Sequence, residues 1–120
     1  MTQPAIQARR IATIIGRTRV NLTTEEAAHR AISAALTEAG VEHVNEARLT
    51  PSERIDILCG PVGVEIKVGH DRRSIWRQLE RYAALPEITA LVLATGTAFP
   101  DLSEVGGKPL VVANLSRGWL

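Results

Sequence analysis

Between Arg54 and Gly69 the chain reads RIDILCGPVGVEIKVG, an apolar run broken beyond its first residue by only three charges: Asp56, Glu65 and Lys67. Runs so rich in Ile, Leu and Val normally enter a core, where an unpaired charge is strongly disfavoured. The three charges must therefore meet at a shared polar site or lie on a solvated sheet face. Gly60 and Pro61 punctuate the run, which divides into strands over about 54–58 and 62–68. The second alternates, with Val62, Val64, Ile66 and Val68 on one side and Gly63, Glu65 and Lys67 on the other. A period of two puts Glu65 and Lys67 on one face, roughly 7 Å apart along the strand. Antiparallel pairing of the first strand brings Asp56 into the same neighbourhood. Two carboxylates converging at a sheet rim suit Mg²⁺ or a similar hard cation such as Mn²⁺, which takes one or two carboxylates and keeps several waters. A cation so held acidifies bound water and polarises a phosphate. The lysine beside it can orient or deprotonate that water, or neutralise charge on the phosphate. Arginine, a wider fork with no proton to exchange, would serve poorly.

The flanking segments supply a frame. Residues 24–39 read as a helix, with Thr23 or Thr24 as N-cap, Glu25 and Glu26 in its first turn and Gly40 as its stop. Its apolar stripe is Ala28, Ala31, Ile32, Ala35, Leu36 and Ala39. Glu25 and His29 border that stripe. A strand over about 41–49 follows, in which Glu46 lies near the site, as an added carboxylate or, in the plainer reading, as an exposed strand residue. After the Lys67 strand, RRSIWRQLERYAALP reads as a second helix ended by Pro86, then ITALVLATG as an apolar, hence central, strand. Residues 108–120 add a further strand and tail. The order is helix, three strands, helix, strand: an α/β domain with a small mixed sheet and flanking helices.

At 120 residues the chain reads as one domain. It is organised as a basic N-terminal segment (1–22), a core (24–96) and the added strand (108–120). Net charge is only +1, but its distribution is uneven. Arg9, Arg10, Arg17 and Arg19 occupy the first twenty residues with no acid, and Lys67, Arg72, Arg73, Arg77 and Arg81 cluster later. Clustered arginines fit a surface that faces a polyanion, because they replace counterions along phosphates. Of the fourteen basic residues only Lys67 and Lys108 are lysines, so arginine usage was resisted at Lys67. No apolar stretch approaches the roughly 18–20 residues of a membrane span, and no signal-peptide core is present. One cysteine, Cys59, rules out an internal disulfide and a cysteine-based zinc cluster, and a cytoplasmic location is expected.

With Asp56 followed by Glu65-Ile66-Lys67 on a helix–three strands–helix–strand order, the segment from about Thr24 to Gly96 resembles the PD-(D/E)XK nuclease superfamily. Ile55 stands where that motif often has a proline. QLERY places Gln78 and Tyr82 at i and i+4 on the second helix, similar to the QxxxY signature of the RecB-type and Cas4-type branch. The resemblance implies an αβββαβ restriction-endonuclease-like core. It also implies a metal-dependent nuclease cleaving DNA phosphodiester bonds, with a structure-specific or resolvase-like enzyme among the forms it can take. Asp56 and Glu65, with Glu25 or His29 from the first helix, would hold Mg²⁺ or Mn²⁺; Lys67 would act on the water; Gln78 and Tyr82 would position the strand. Arg9, Arg10, Arg17, Arg19, Arg72, Arg73 and Arg77 are the candidate DNA contacts. A non-catalytic nucleic-acid-binding module of the same fold and an RNA-cleaving nuclease are the alternatives.

His43 and His70 read as surface histidines, and Cys59 has no implied histidine partner for a thiolate nucleophile. No GxSxG, P-loop or GxGxxG is present, so serine hydrolase, NTPase and Rossmann chemistry have no support. An apolar C-terminal strand with Trp119 beyond it suggests a homodimer built on this tail, if the strand finds no partner within the chain.

Overall fold

The computed structural model describes residues 2–117. Its elements are α1 (Gln3–Gly16), β1 (Arg19–Val20), α2 (Glu25–Glu38), β2 (Val44–Arg48), β3 (Arg54–Cys59), β4 (Val62–Lys67), α3 (Arg72–Ala83), β5 (Ala90–Thr95), β6 (Glu104–Val105), β7 (Lys108–Asn114) and β8 (Ser116–Arg117). A six-stranded mixed sheet runs β2-β3-β4-β5-β7-β6, and β1 and β8 form a separate parallel pair. From α2 to β5 the order is α-β-β-β-α-β, as the residue patterns indicated.

Helices cover both faces. α1 and α2 pack on one face over Ile57, Cys59, Val62, Val64, Ile66, Val92 and Ala94. α3 covers the other over Ile55, Leu91, Leu93 and Leu110. β5 lies between parallel neighbours β4 and β7, and all six of its residues are buried. That two-sided burial explains its unbroken apolar sequence.

Each helix starts and stops for a visible reason. Thr24 caps α2 by accepting from the Ala27 N–H at 3.0 Å. Gly40, at φ +77°, ends it with Val41 N–H donating to Leu36 C=O and Gly40 N–H to Thr37 C=O, the paired pattern that requires a left-handed residue. Asp71 caps α3 through the Ser74 N–H at 2.9 Å, and Ile75, Leu79, Tyr82 and Ala83 form its buried stripe.

The structure adds to two expectations. Within the basic segment 1–22, residues 3–16 form a helix capped by Thr2, burying Ala8, Ile11, Ala12 and Ile15. Those positions recur at i, i+3, i+4 and i+7, so the segment enters the core and presents Arg9 and Arg10 outward. The C-terminal strand β7 is paired on both sides, parallel to β5 and antiparallel to β6. The homodimer argument drew on an unpaired strand there, and β7 does not supply one; Trp119 lies outside the described residues. No helix among the described residues is long and apolar enough to cross a membrane.

Candidate functional site

β3 and β4 pair regularly from Cys59↔Val62 to Ile57↔Val64. At Asp56 the strand faces turn over. Ile57 is buried under α2, whereas Ile55, two residues earlier, is buried under α3. The partner strand does the same: Ala47, paired with Ile55, joins the α3 core, while Asn45, paired with Ile57, reaches Ser33 and His29 on α2. Between Asn45 and Ala47, Glu46 has φ +52°, a left-handed conformation that side chains other than glycine adopt at a cost. The two reversals lie opposite one another, and they bring Glu46 and Asp56 to one spot.

Side chains complete the hydrogen bonding where β3 and β4 part. Asp56 Oδ2 accepts from the Ile66 N–H at 2.8 Å, and Glu65 Oε1 accepts from the Asp56 N–H at 3.4 Å. Glu65 Oε2 pairs with Lys67 Nζ at 3.2 Å, so Glu65 and Lys67 do share a face. Burial pushes the Glu65 carboxyl up to about 8, with the Asp56 charge acting in the same direction and Lys67 against it. Asp56 is also raised, first by burial, while the Ile66 N–H and the His29 charge oppose that rise. Two adjacent carboxyls are thus both held above their usual range, chiefly by burial.

Among the described residues, His29, Glu46 and Asp56 offer ligand atoms that all lie within 4.8 Å of one another. They line a cleft of about 270 Å³ with Glu25, Glu26, Arg30 and Ile66. One imidazole and two carboxylates in that span could hold a divalent cation. Glu65 is outside the trio and lies directly behind Asp56. Glu25 lines the cleft, but its Oε2 accepts from the Val68 N–H at 3.1 Å and pairs with His70 Nε2 at 2.7 Å. Between the two first-helix candidates, the geometry puts His29 with Asp56. Glu46 is exposed, as its strand position indicated, and its backbone reversal sets its carboxylate beside His29 and Asp56.

A second hollow, of about 370 Å³, lies beside the Glu65–Lys67 pair and is lined by Lys67, His70, Ser74, Arg77, Gln78 and Arg81. It adjoins another of about 380 Å³ that shares Gln78 and Arg81 and adds Arg48, Arg54 and Tyr82. Together they make a mostly cationic groove along α3, in which Arg81 pairs with Glu53 at 2.9 Å. Tyr82 is fully buried. Its hydroxyl donates to Arg54 C=O at 2.9 Å and accepts from Gln78 Nε2 at 2.9 Å, which pins α3 to β3 two residues before Asp56. Burial first, and then the charges of Glu65, Asp56 and Glu53, hold this phenol well above its usual range. It remains a neutral donor.

The other arginines are distributed. Arg9, Arg10, Arg17, Arg72 and Arg73 are exposed, with Arg72 donating to Ala98 C=O. α1 and α3 cover opposite faces of the sheet, so Arg9 and Arg10 do not join the Arg77–Arg81 groove in one layer. Arg19, also exposed, sits in β1 against β8, at the end of the sheet where Lys67, Thr95 and Asn114 align. Cys59 is buried, and burial pushes its thiol up to about 11, which leaves it unreactive. A larger hollow of about 680 Å³ near the C-terminal end of α2 has only Glu42 and His43 as charged or titratable lining.

No family model, curated protein or solved structure matches the chain.

Proposed function

We propose that the protein is a divalent-metal-dependent nuclease that hydrolyses DNA phosphodiester bonds, with the PD-(D/E)XK arrangement on β3 and β4. The observation that carries this reading is the juxtaposition at the β3–β4 split. A His29–Glu46–Asp56 trio fit for a cation adjoins a buried Glu65–Lys67 pair, and a cationic groove begins at Lys67. His29, Glu46 and Asp56 would hold Mn²⁺ or Mg²⁺, which when bound acidifies water and polarises a phosphate oxygen. Lys67 accepts or directs the proton as the water oxygen bonds to phosphorus and the bond to the sugar oxygen breaks. Glu65 holds Lys67 in place. Arg77 and Arg81 would take the flanking phosphates, and Arg in this role forms bidentate contacts that fix the strand's register. Gln78 and Tyr82 act from behind, by tying α3 to the Asp56 strand.

The test is incubation of the purified protein with linear, single-stranded, flap and four-way-junction DNA, and with RNA, in Mn²⁺, Mg²⁺ or EDTA. Cleavage that needs the cation and is lost in Asp56→Ala and Lys67→Met supports the reading. For Lys67→Met a loss of roughly 10²–10⁴-fold is expected. Cleavage undiminished by EDTA, or unchanged in both variants, overturns it. Salt-dependent binding without cleavage would instead identify a nucleic-acid-binding module.

A further inference from the structure

A chain of hydrogen bonds runs from the back of His29 to a fixed backbone carbonyl, and the order of donors and acceptors along it is determined. His43 Nδ1 lies 2.9 Å from Val41 C=O, which can only accept, so Nδ1 carries a proton. On a neutral ring Nε2 is then an acceptor. Ser33 Oγ lies 2.8 Å from that Nε2 and must donate to it. With its proton committed, Ser33 Oγ accepts from Asn45 Nδ2 at 3.0 Å. That fixes the amide the other way round for its oxygen, and Asn45 Oδ1 lies 3.1 Å from His29 Nε2. The amide oxygen can only accept, so His29 carries its proton on Nε2. Its Nδ1 lone pair is left facing Glu46 Oε1, 3.7 Å away, and the cleft. The reverse order would need both nitrogens of His43 protonated.

We propose that Asn45, Ser33 and His43 are positioning residues that hold His29 in its Nε2–H tautomer, so that Nδ1 is presented to a cation shared with Glu46 and Asp56. The consequence for cation binding rests on the function proposed above; the tautomer itself does not. Histidines that bind metals are commonly fixed by a hydrogen bond on the other ring nitrogen, and loss of that support costs about 10–100-fold in affinity. Here the support ends on the α2–β2 connection at Val41. Ser33 is one turn from His29 on α2 and Asn45 precedes the reversal at Glu46, so the helix and the kinked strand are locked to the same ligand.

Ring ¹⁵N NMR of the cation-free protein, well above the ordinary imidazole pKa of about 6.5, reads the tautomer directly. Calorimetric titration with Mn²⁺ reads the affinity. The wild type is expected to show Nε2–H at His29. Ser33→Ala and Asn45→Ala are expected to show mixed tautomers and about 10–100-fold weaker Mn²⁺ binding. Ser33→Thr, which keeps the hydroxyl, is expected to retain both properties. An Nδ1–H tautomer in the wild type overturns the proposal, as does an unchanged tautomer in both alanine variants with their thermal unfolding intact. A correct tautomer that the variants lose, in a protein that binds no Mn²⁺, supports the positioning role and removes the metal-dependent function instead.

Discussion

The two halves of the sheet obey different rules. From β4 through β5 to β7 the ladders are parallel and unbroken, from Val62↔Ala90 to Lys67↔Thr95 and from Leu91↔Leu110 to Thr95↔Asn114. β5 is buried throughout and β4 up to Lys67, while β7 is covered in part. From β4 back to β2 the strands are antiparallel, Glu46 is left-handed, and Ile55 and Ile57 enter different cores. The first half is organised by burial alone. The second gives up regularity at one point, and every candidate ligand projects from or toward that point. The difference teaches that the site is made by a backbone fault supported by a rigid neighbour, since the neighbouring ladder holds Glu65 and Lys67 still while β3 departs.

The largest effect expected from this contrast is in the regular half. Leu93→Ala removes a fully buried side chain and should cost about 2–5 kcal/mol, read as a lower denaturant midpoint. A loss as large from Glu65→Gln, on the neighbouring strand, would break the distinction between a half held by packing and a half shaped for its polar groups.

Glu65 makes a smaller prediction with a definite sign. Its folded-state pKa of about 8 lies above the ordinary value of 4.5. Between those pH values the folded protein keeps a proton that the unfolded chain has released. Stability must therefore fall as pH rises through that window and level off above it. Asp56, also raised, adds a change of the same sign. In Glu65→Gln the decline should be visibly shallower when unfolding is followed across pH. An equal decline in the variant would mean that Glu65 ionises normally in the fold, and the crowding of carboxyls at the split would lose its support.

How much of this was legible in the sequence follows the same division. The regular half was readable because burial imposes periods: β5 as an apolar run, β4 as an alternation, α2 and α3 as capped stripes. Helix α1 has the same signals, with Thr2 as cap and an i, i+3, i+4, i+7 stripe, but the four arginines of residues 1–22 overlie that stripe with a charge pattern that fits a polyanion-facing surface equally well. At the irregular site the residue types Asp56, Glu65, Lys67 and His29 could be singled out from chemistry and spacing. Glu46 could be placed only near the site, as an added carboxylate or an exposed residue, because its approach to Asp56 depends on a φ of +52° that a glutamate does not announce. The chain through Asn45, Ser33 and His43 was hidden for a similar reason. It joins α2 to β2 across a turn, and ordinary polar residues carry no periodic signal.

The smallest expected effects test the backbone fault itself, with one substitution pair in each direction. Glu46 pairs with Arg54 at 3.2 Å through an exposed contact, so simple removal of its side chain mixes lost charge with relieved backbone. Comparing Glu46→Ala with Glu46→Gly isolates the backbone, because both lack the carboxylate and only glycine adopts positive φ without strain. The glycine variant should be the more stable by about 1 kcal/mol. Gly60, at φ +57° in the β3–β4 turn, supplies the mirror case. A Cβ there meets nothing within 4 Å, so Gly60→Ala should lose about 1 kcal/mol from the backbone alone. Both are read from denaturant midpoints at one pH. If Glu46→Ala proves as stable as Glu46→Gly while Gly60→Ala loses stability as stated, then β2 relaxes to ordinary extended backbone once the carboxylate is gone. The carboxylate, held by Arg54, would then be what bends the strand. If Gly60→Ala also loses nothing, positive φ is no measure of strain in this sheet, and the contrast between its halves must rest on packing and charge alone.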